Sequence, residues 1–194
     1  MTLHDAPSAP NTATESAESA TAAIEIPAQP TGNDLPTTAP RLVDVPARRV
    51  LMLDGVGSPE SADFGTAVRR LYAAAGSSDA PLEGLWAQDG RDGFELSSDK
   101  DTWRWTLLLP AGDDADISRL PERVRVETFA EGRAAEVLHV GPYDDEEPTI
   151  AALLGFIRQG CGLALRGRHH EIYLDDPRTC PPAELRTIIR QPVQ

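Results

Sequence analysis

The sequence predicts an α+β fold, with helices on one side of an antiparallel sheet or sheets. Two observations support this prediction. Short β-prone runs are interspersed with two stretches of helical apolar spacing, and the order strand, glycine-rich corner, helix, strand, strand occurs twice. The two copies cover residues 48–109 and 134–191. We therefore expect two repeats related by a pseudo-twofold axis, with a ligand cleft between them.

The first copy starts with a short apolar run, 48–54, that ends at two glycines. Pro59 then opens a helix whose apolar residues recur three and four positions apart. Two further strands, 81–88 and 102–109, complete the copy. The apolar residues of the predicted helix face are Phe64, Ala67, Val68, Leu71 and Tyr72.

A loop over 112–121, with one helical turn, leads to two strands at 124–129 and 133–140. Glu131 and Gly132 separate these strands, and a short glycine-containing gap between β-prone runs is typical of a hairpin. We therefore expect the two strands to pair with each other.

The second copy continues with a helix over 149–160, which Gly160 ends. Strands at 169–174 and 185–191 follow, and Pro192 ends the last of them. The apolar residues of the predicted helix face are Ile150, Leu153, Leu154 and Ile157.

Residues 1–44 are expected to form a disordered tail, and residues 45–194 the folded domain. The first segment is rich in Ala, Thr, Ser and Pro and has no aromatic residue, so it lacks the apolar area that folding requires. No Lys or Arg precedes Arg41. Five acidic residues do: Asp5, Glu15, Glu18, Glu25 and Asp34.

The charge balance excludes some classes of partner. The chain carries 31 acidic and 18 basic residues, a net charge of −13, whereas binding to nucleic-acid phosphates needs clustered positive charge. No apolar run approaches the about 20 residues of a membrane span, and no secretory signal is recognisable. Two cysteines, Cys161 and Cys180, indicate a cytoplasmic protein with reduced thiols. Monomer and weak dimer both stay open.

Several motifs together resemble the GyrI-like small-molecule-binding domains over residues 48–193. The motifs of the second copy are HVGPYDDE at 139–146, HHEIYLDDPR at 169–178 and LRTIIRQPV at 185–193. Those of the first copy are LDGVGSP at 53–59, PLEGLW at 81–86 and WRWT at 103–106. As a set they are far more specific than any one of them alone.

This resemblance implies a concave site for amphipathic or cationic organic molecules. Relatives fused to helix-turn-helix regions are effector sensors, but this chain has no basic patch and resembles a stand-alone form. Its tryptophan region and the HHEIY strand are similar to the cyclopropanoid cyclopropyl hydrolases. These enzymes open the cyclopropane of DNA-alkylating natural products of the yatakemycin and duocarmycin type by means of an aromatic cage. The resemblance thus implies self-resistance or xenobiotic protection with no cofactor.

Glu171 is the first candidate catalytic residue. Side chains alternate along a strand, so His169, Glu171 and Tyr173 share one face. A carboxylate in a half-apolar cleft has a raised pKa and can act as an acid or hold a water. The alternative is an ion pair between Glu171 and Arg186 or Arg190 on the next strand.

Glu83 and Tyr143 complete the candidate catalytic set. Glu83 occupies the place in the first copy that Glu171 has in the second, so the two carboxylates are expected to face one cleft and divide acid and water-activating roles. The alternative for Glu83 is a solvated residue on an edge strand. Tyr143 lies at a strand-to-helix corner, where its hydroxyl can donate to a ligand carbonyl or, alternatively, to a backbone group.

The three tryptophans of the chain lie within 20 residues of one another. Trp103 and Trp105 share a strand face and can grip a flat polycyclic ligand or a cation, whereas Trp86 faces away from Glu83 and is expected in the core. The alternative for each is a core role. The expected ligand-binding residues are Trp86, Trp103, Trp105, Tyr173, Phe156 and His139.

A metal site is not expected, because adjacent residues of the His169–His170–Glu171 run point to opposite faces and the cysteines lack zinc-type spacing. The acidic run at 144–147 is explained by favourable charge at a helix N-terminus. The sequence therefore predicts a cofactor-free hydrolase for an aromatic small molecule. Two alternatives stay open, a non-catalytic binder of lipophilic or cationic molecules and an inhibitor that binds another protein.

Overall fold

Eight strands form one antiparallel sheet in a computed structural model, which describes residues 35–76, 78–89, 94–96, 99–112 and 117–194. Their order across the sheet is β1-β6-β8-β7-β3-β4-β2-β5. The strands are β1 (Arg41–Val45), β2 (Arg48–Val56), β3 (Leu82–Ala87), β4 (Arg104–Pro110), β5 (Arg125–Phe129), β6 (Gly132–Val140), β7 (His169–Tyr173) and β8 (Arg186–Pro192).

Two α-helices pack on one face of this sheet. Helix α1 (Ala62–Ala75) begins after Ser61, whose hydroxyl accepts a hydrogen bond from the Phe64 amide and so caps the first turn. Helix α2 (Glu147–Gly155) follows the short 3₁₀ turn Tyr143–Asp145 and continues as a π-turn to Gly160. No helix in the described ranges is long and apolar enough to cross a membrane.

The two faces of the sheet carry different cores. The helix face buries most of the apolar side chains together with both helices. Its members include Leu51, Leu53, Leu71, Leu107, Leu109, Val137, Ile150, Leu153, Ile157 and Ile189. The opposite face, hereafter the second face, has a smaller apolar cluster of Val50, Met52, Leu85 and Leu108, covered by Phe129.

The strand order requires the sheet to curl. Only Ala130 and Glu131 connect β5 at one edge to β6, which lies six strands away. A flat sheet would separate these strands by about 29 Å, whereas three peptide units span at most about 11 Å. The sheet therefore bends into a half-barrel around the second face, where Glu131 contacts His170 of β7.

This architecture confirms the predicted α+β class with helices on one side of antiparallel strands, and it shows that these strands form one sheet and not several. The two copies, β2-α1-β3-β4 and β6-α2-β7-β8, have the same internal strand order and meet where β3 pairs with β7. The pseudo-twofold relation between them stays a prediction.

Three local predictions were wrong. The strands around Glu131 and Gly132 do not form a hairpin, because β5 pairs with β2 while β6 pairs with β1 and β8. The predicted tail contains strand β1, which pairs with β6, so order begins before Val45. The predicted tail also includes residues 1–34, which lie outside the described ranges. The second α-helix ends at Gly155, and a π-turn replaces its last predicted turn.

Candidate functional site

Glu171 lies at the centre of the sheet, on the helix face, where β7 meets β3. Its side chain is buried, with 5% of its surface exposed. The Tyr173 hydroxyl donates to Glu171 Oε2 at 2.6 Å, and His169 Nε2 lies 3.1 Å from Oε1. The alternative ion pairs are wrong, since Arg186 binds Asp175 and Arg190 binds two other glutamates. Glu171 is thus a buried carboxylate without an Arg or Lys partner in the described part of the chain.

The sheet geometry explains why Tyr173 reaches Glu171. Gly84 of β3 lies directly opposite Glu171, and a Cβ atom there would come within 2.8 Å of Trp86 Nε1 and 3.2 Å of the Tyr173 hydroxyl. Trp86 Nε1 donates to that hydroxyl at 3.0 Å. The indole, the phenol and the carboxylate therefore form a hydrogen-bonded chain across the space above Gly84.

Glu146 is the second carboxyl of the site. It follows the 3₁₀ turn before α2, and only 1% of its surface is exposed. Burial, followed by the negative charge of Glu171, raises the pKa of Glu146 to about 10. No Lys or Arg among the described residues offsets this pair, and two adjacent buried carboxyls cannot both be charged without large cost. We call Glu146 and Glu171 the carboxyl pair; its Glu146 member keeps its proton at neutral pH.

Tyr143 adds an uncharged donor beside the carboxyl pair. Its ring meets the Tyr173 ring edge-on, with 5.5 Å between the centroids. Burial, followed by the charges of Glu146 and Glu171, raises the pKa of Tyr143 to about 12, so the phenol keeps its proton. Its hydroxyl makes no hydrogen bond to another described residue. The alternative prediction, in which this hydroxyl donates to a backbone group, is therefore wrong for the described residues.

An aromatic cluster occupies the helix face next to His169. Its members are Phe64, Trp86, Phe94, Trp103 and Trp105. Phe94 stacks on His169 at 4.9 Å and meets the edge of Trp103 at 4.7 Å. The three indoles are almost fully buried, and their faces are covered by one another and by the two phenylalanines. The predicted cage is therefore filled by the protein's own rings.

Comparison with known proteins places this arrangement in a family. The model of the GyrI-like small-molecule-binding domain matches residues 38–194. The chain belongs to the GyrI-like family. Its β1 strand and the whole helix face of the sheet lie inside the matched region, whereas no curated protein matches the chain.

Solved structures agree with this assignment. An uncharacterized conserved protein from Listeria innocua is 33% identical, with a TM-score of 0.73, and the match covers 84% of this chain and 95% of that one. A hydrolase from Listeria innocua is 31% identical, with a TM-score of 0.65 and coverages of 82% and 94%. A tetraphenylphosphonium-bound protein at 15% identity and a TM-score of 0.51, with coverages of 80% and 93%, shares the fold alone.

Several predicted site residues come together in this GyrI-like domain. Glu171, Tyr173 and Tyr143 lie in mutual contact or close by, and Trp86 joins them through its hydrogen bond to Tyr173. Trp86 was expected in the core and also among the ligand-binding residues; the structure buries it and joins it to Tyr173 by a hydrogen bond. Trp103 and Trp105 lie further away, within the aromatic cluster.

Glu83 does not face the same cleft as Glu171. The register pairs Gly84 with Glu171 and Glu83 with Ile172, so the two glutamates point to opposite faces of the sheet. The predicted equivalence of Glu83 and Glu171 was therefore wrong by one residue. A shift of one residue moves a strand side chain to the other face of the sheet. On the second face Glu83 binds Arg48 and lies 2.9 Å from His170 Nε2.

Glu83 belongs to a chain of alternating charges on the second face. His170 is fully buried at its centre, with Nδ1 2.8 Å from Glu131 and Nε2 2.9 Å from Glu83. Each of these glutamates also holds an arginine, so each accepts hydrogen bonds as a carboxylate. Both ring nitrogens of His170 must therefore donate, which makes the imidazole a cation. This network ties the two copies of the repeat together.

His139 and Phe156 have structural partners. His139 Nδ1 lies 2.9 Å from the Thr149 hydroxyl and Nε2 3.2 Å from the Pro142 carbonyl, so its ring fixes the corner that precedes α2. Phe156, at the start of the π-turn, packs against the helix-face core. Their expected roles in ligand binding stay predictions.

The analysis of the acidic run missed Glu146. Asp144, Asp145 and Glu147 are exposed, as charge at a helix N-terminus would be, but Glu146 is buried. The 3₁₀ turn Tyr143–Asp145 brings Glu146 back towards the sheet. Glu146 lies three residues after Tyr143 and four before Ile150, which is the spacing of one helix face. This alignment with two apolar residues was the one available sign that Glu146 is buried.

Proposed function

We propose that this protein is a cofactor-independent hydrolase that opens the cyclopropane ring of DNA-alkylating natural products of the yatakemycin and duocarmycin type. The observation that carries the proposal is the carboxyl pair, in which a buried carboxylate lies beside a carboxylic acid that keeps its proton. Two neighbouring carboxyls with different protonation states are a common basis of acid–base catalysis. Such a reaction would protect a cell against these alkylating agents.

The chemistry uses one water molecule. Its oxygen attacks the strained CH₂ of a spiro-cyclopropyl dienone, and a C–O bond forms as the bond from CH₂ to the ring breaks. The electron pair of the broken bond moves to the dienone oxygen, which becomes a phenolate. Glu171 accepts the proton of the water, and the carboxyl pair then returns a proton to the phenolate. The product is the substrate plus one water.

The neighbours of the carboxyl pair suit these steps. Tyr143 offers a protonated hydroxyl that can donate to the dienone oxygen as negative charge develops there, and donors aimed at developing charge give a large part of catalysis. Tyr173 and His169 hold the Glu171 carboxylate in one orientation. The 31% identity to a Listeria hydrolase supports the same reaction class.

The direct test is mass spectrometry of a duocarmycin-type cyclopropane incubated with catalytic amounts of the protein. We expect addition of one water over many turnovers, and loss of turnover in Glu171→Gln with retained ligand binding. Ligand recovered unchanged by the wild-type protein would contradict hydrolysis. Turnover near the wild-type level in Glu171→Gln would instead overturn the role of Glu171.

A non-catalytic binding protein for lipophilic or cationic molecules is the second candidate. It is favoured by the negative charge of the carboxyl pair, which no described Lys or Arg offsets, and by the family's description as small-molecule-binding. Tetraphenylphosphonium is a suitable probe. Stoichiometric binding of this cation without turnover of any cyclopropane substrate would favour the second candidate.

A further inference from the structure

Strand β5 is an edge of the sheet, and one of its sides has no neighbouring strand. Among the described residues it pairs only with β2. An unpaired edge presents backbone N–H and C=O groups that can bind a strand from another chain. A groove of about 440 Å³ follows this edge. It is lined by Arg49, Leu120, Val124, Arg125, Val126, Glu127 and Thr128.

The hydrogen bonds of β2 show which backbone groups of β5 face outward. The Arg49 carbonyl accepts from the Ala111 amide, so the backbone groups of Arg49 point towards β4. Those of its neighbour Val50 therefore point towards β5, where Val50 lies opposite Glu127. Because this direction alternates along a strand, Val126 points its N–H and C=O away from β2. Within the described ranges neither group has a hydrogen-bond partner on that side.

The side chains along this edge are self-complementary in charge. Arg125 and Glu127 flank Val126 and share the second face, since they lie opposite Met52 and Val50 of that face. When two copies of β5 pair antiparallel with Val126 opposite Val126, each Arg125 lies opposite Glu127 of the other copy. Opposite charges directly across two strands stabilise their pairing.

The other edge strand, β1, lacks this pattern. Its charged residues Arg41 and Asp44 lie three residues apart and point to opposite faces. No antiparallel pairing of two β1 strands can therefore place these two charges opposite each other on one face. The charge pattern thus distinguishes β5 from β1 as a surface for a second copy of the chain.

We propose that two copies of this chain form a dimer through their β5 strands, which joins the two sheets edge to edge. The two Val126 residues exchange a pair of backbone hydrogen bonds on the symmetry axis. Arg125 and Glu127 of both copies alternate around this axis on the second face. The partner strand occupies the groove beside β5.

The same charges specify the register of this pairing. A shift of the two strands by two residues would place Glu127 opposite Glu127, and like charges directly opposite each other are destabilising. Each copy contributes one short strand, so we expect a dimer that dissociates on dilution. Strands β3, β4 and β2 separate β5 from Glu171 on β7. The proposal is therefore independent of the proposed reaction.

Sedimentation of the full-length protein over a concentration series tests whether the dimer forms, and hydrogen exchange locates it. We expect a reversible monomer–dimer equilibrium, with slower exchange of the Val126 amide as the dimer fraction rises. The amides of β1 serve as the control, and their exchange should not depend on concentration. Sedimentation as a monomer at every concentration would overturn the proposal and leave the β5 edge to a partner of another sequence.

Two charge reversals test the register. Glu127→Lys makes both charged positions of β5 basic, and Arg125→Glu makes both acidic, so each variant repels a second copy of itself. We expect the dimer Kd to rise by about tenfold or more in each variant. In a mixture of the two variants every basic position lies opposite an acidic one, so the mixed dimer should form with most of the wild-type affinity.

The mixture separates this interface from a loss of folding. Circular dichroism should show the wild-type fold in both variants, and only a correct strand register lets two impaired proteins restore each other's dimerisation. A dimer that both variants form as well as the wild-type protein would contradict an interface at β5. Folded variants that stay monomeric when mixed would contradict the pairing of Arg125 with Glu127.

Discussion

Gly84 and Glu171 face each other across the β3–β7 pair, and the missing side chain at Gly84 leaves room for the hydroxyl that binds the carboxylate. The Tyr173 hydroxyl occupies this space, accepting from Trp86 at 3.0 Å and donating to Glu171 at 2.6 Å. The orientation of the candidate catalytic carboxylate thus depends on a glycine of the neighbouring strand.

Gly84→Ala is expected to disrupt this chain of hydrogen bonds. The new Cβ would lie 2.8 Å from Trp86 Nε1 and force the indole or Tyr173 to move. Overpacking of this kind costs about 1–3 kcal/mol of unfolding free energy, and we expect turnover to fall as well. Thermal unfolding and the cyclopropane assay measure the two effects.

Gly155→Ala is the matched control. Gly155 ends helix α2 with helical dihedral angles, and a Cβ there meets no atom within 4 Å. Alanine is a better helix former, so stability should rise by up to about 1 kcal/mol, without effect on turnover. Equal behaviour of Gly84→Ala and Gly155→Ala would contradict the role of Gly84.

Tyr143→Phe should lower kcat and leave the fold intact. The substitution keeps the ring that packs edge-on against Tyr173 and removes only the hydroxyl. Loss of one donor to a developing oxyanion typically costs about 10²–10³ in kcat. Kinetics with a duocarmycin-type substrate measure this loss, and an unchanged melting temperature shows that packing is retained. A wild-type kcat would exclude Tyr143 as the donor.

His170 should make stability depend on pH. Burial alone would lower its pKa, but the charges and hydrogen bonds of Glu131 and Glu83 prevail and raise it above 6.5. The protonated ring therefore stabilises the fold fully below about pH 6.5, and this contribution is lost as the pH rises through the folded pKa. The slope reaches about 1.4 kcal/mol per pH unit for one proton.

Urea unfolding of the wild-type protein and His170→Gln, at intervals from pH 5 upward, measures this dependence. We expect the wild-type unfolding free energy to decline above pH 6.5, and the variant to be less stable and to lack this decline. Parallel curves for the two proteins would show that His170 does not carry the charge.

Phe94 should control access to the aromatic cluster. Its ring covers His169 and the edge of Trp103, whereas Phe129 lies on the second face. Truncation of the buried Phe94 costs about 3–5 kcal/mol, and truncation of the half-buried Phe129 costs less. Only Phe94→Ala should alter tryptophan emission and the rate at which an aromatic ligand binds. Stopped-flow fluorescence compares Phe94→Ala with Phe129→Ala. Identical binding rates in the two variants would contradict this role.

The sequence predicted the fold well, because strand and helix periodicity reports local structure directly. The prediction failed where the structure of a segment depends on its pairing with a strand far away in the chain. Strand β1 has five residues and looked like the end of a tail, since its partner β6 lies about 90 positions later in the chain. The turn at Glu131 and Gly132 looked like a hairpin, although the curl of the sheet sends β5 and β6 to different partners.

Only part of the candidate site was predicted, again because long-range pairing determines which side chains meet. Parity along β7 placed Glu171 and Tyr173 on one face, as the structure has them. The face of Glu83 depended on a register between two strands that no local pattern specifies. Glu146 depended on the direction of a 3₁₀ turn, and its acidic neighbours concealed the one residue of the run that is buried.

The protonation state of Glu146 is the central claim, and carboxyl ¹³C NMR titration of the ¹³C-glutamate-labelled protein tests it most directly. The Glu146 signal, assigned by its loss in Glu146→Gln, should keep the chemical shift of a carboxylic acid through neutral pH and change only near pH 10. A Glu146 signal that titrates near the ordinary glutamate value of about 4.3 would contradict the carboxyl pair and the chemistry derived from it.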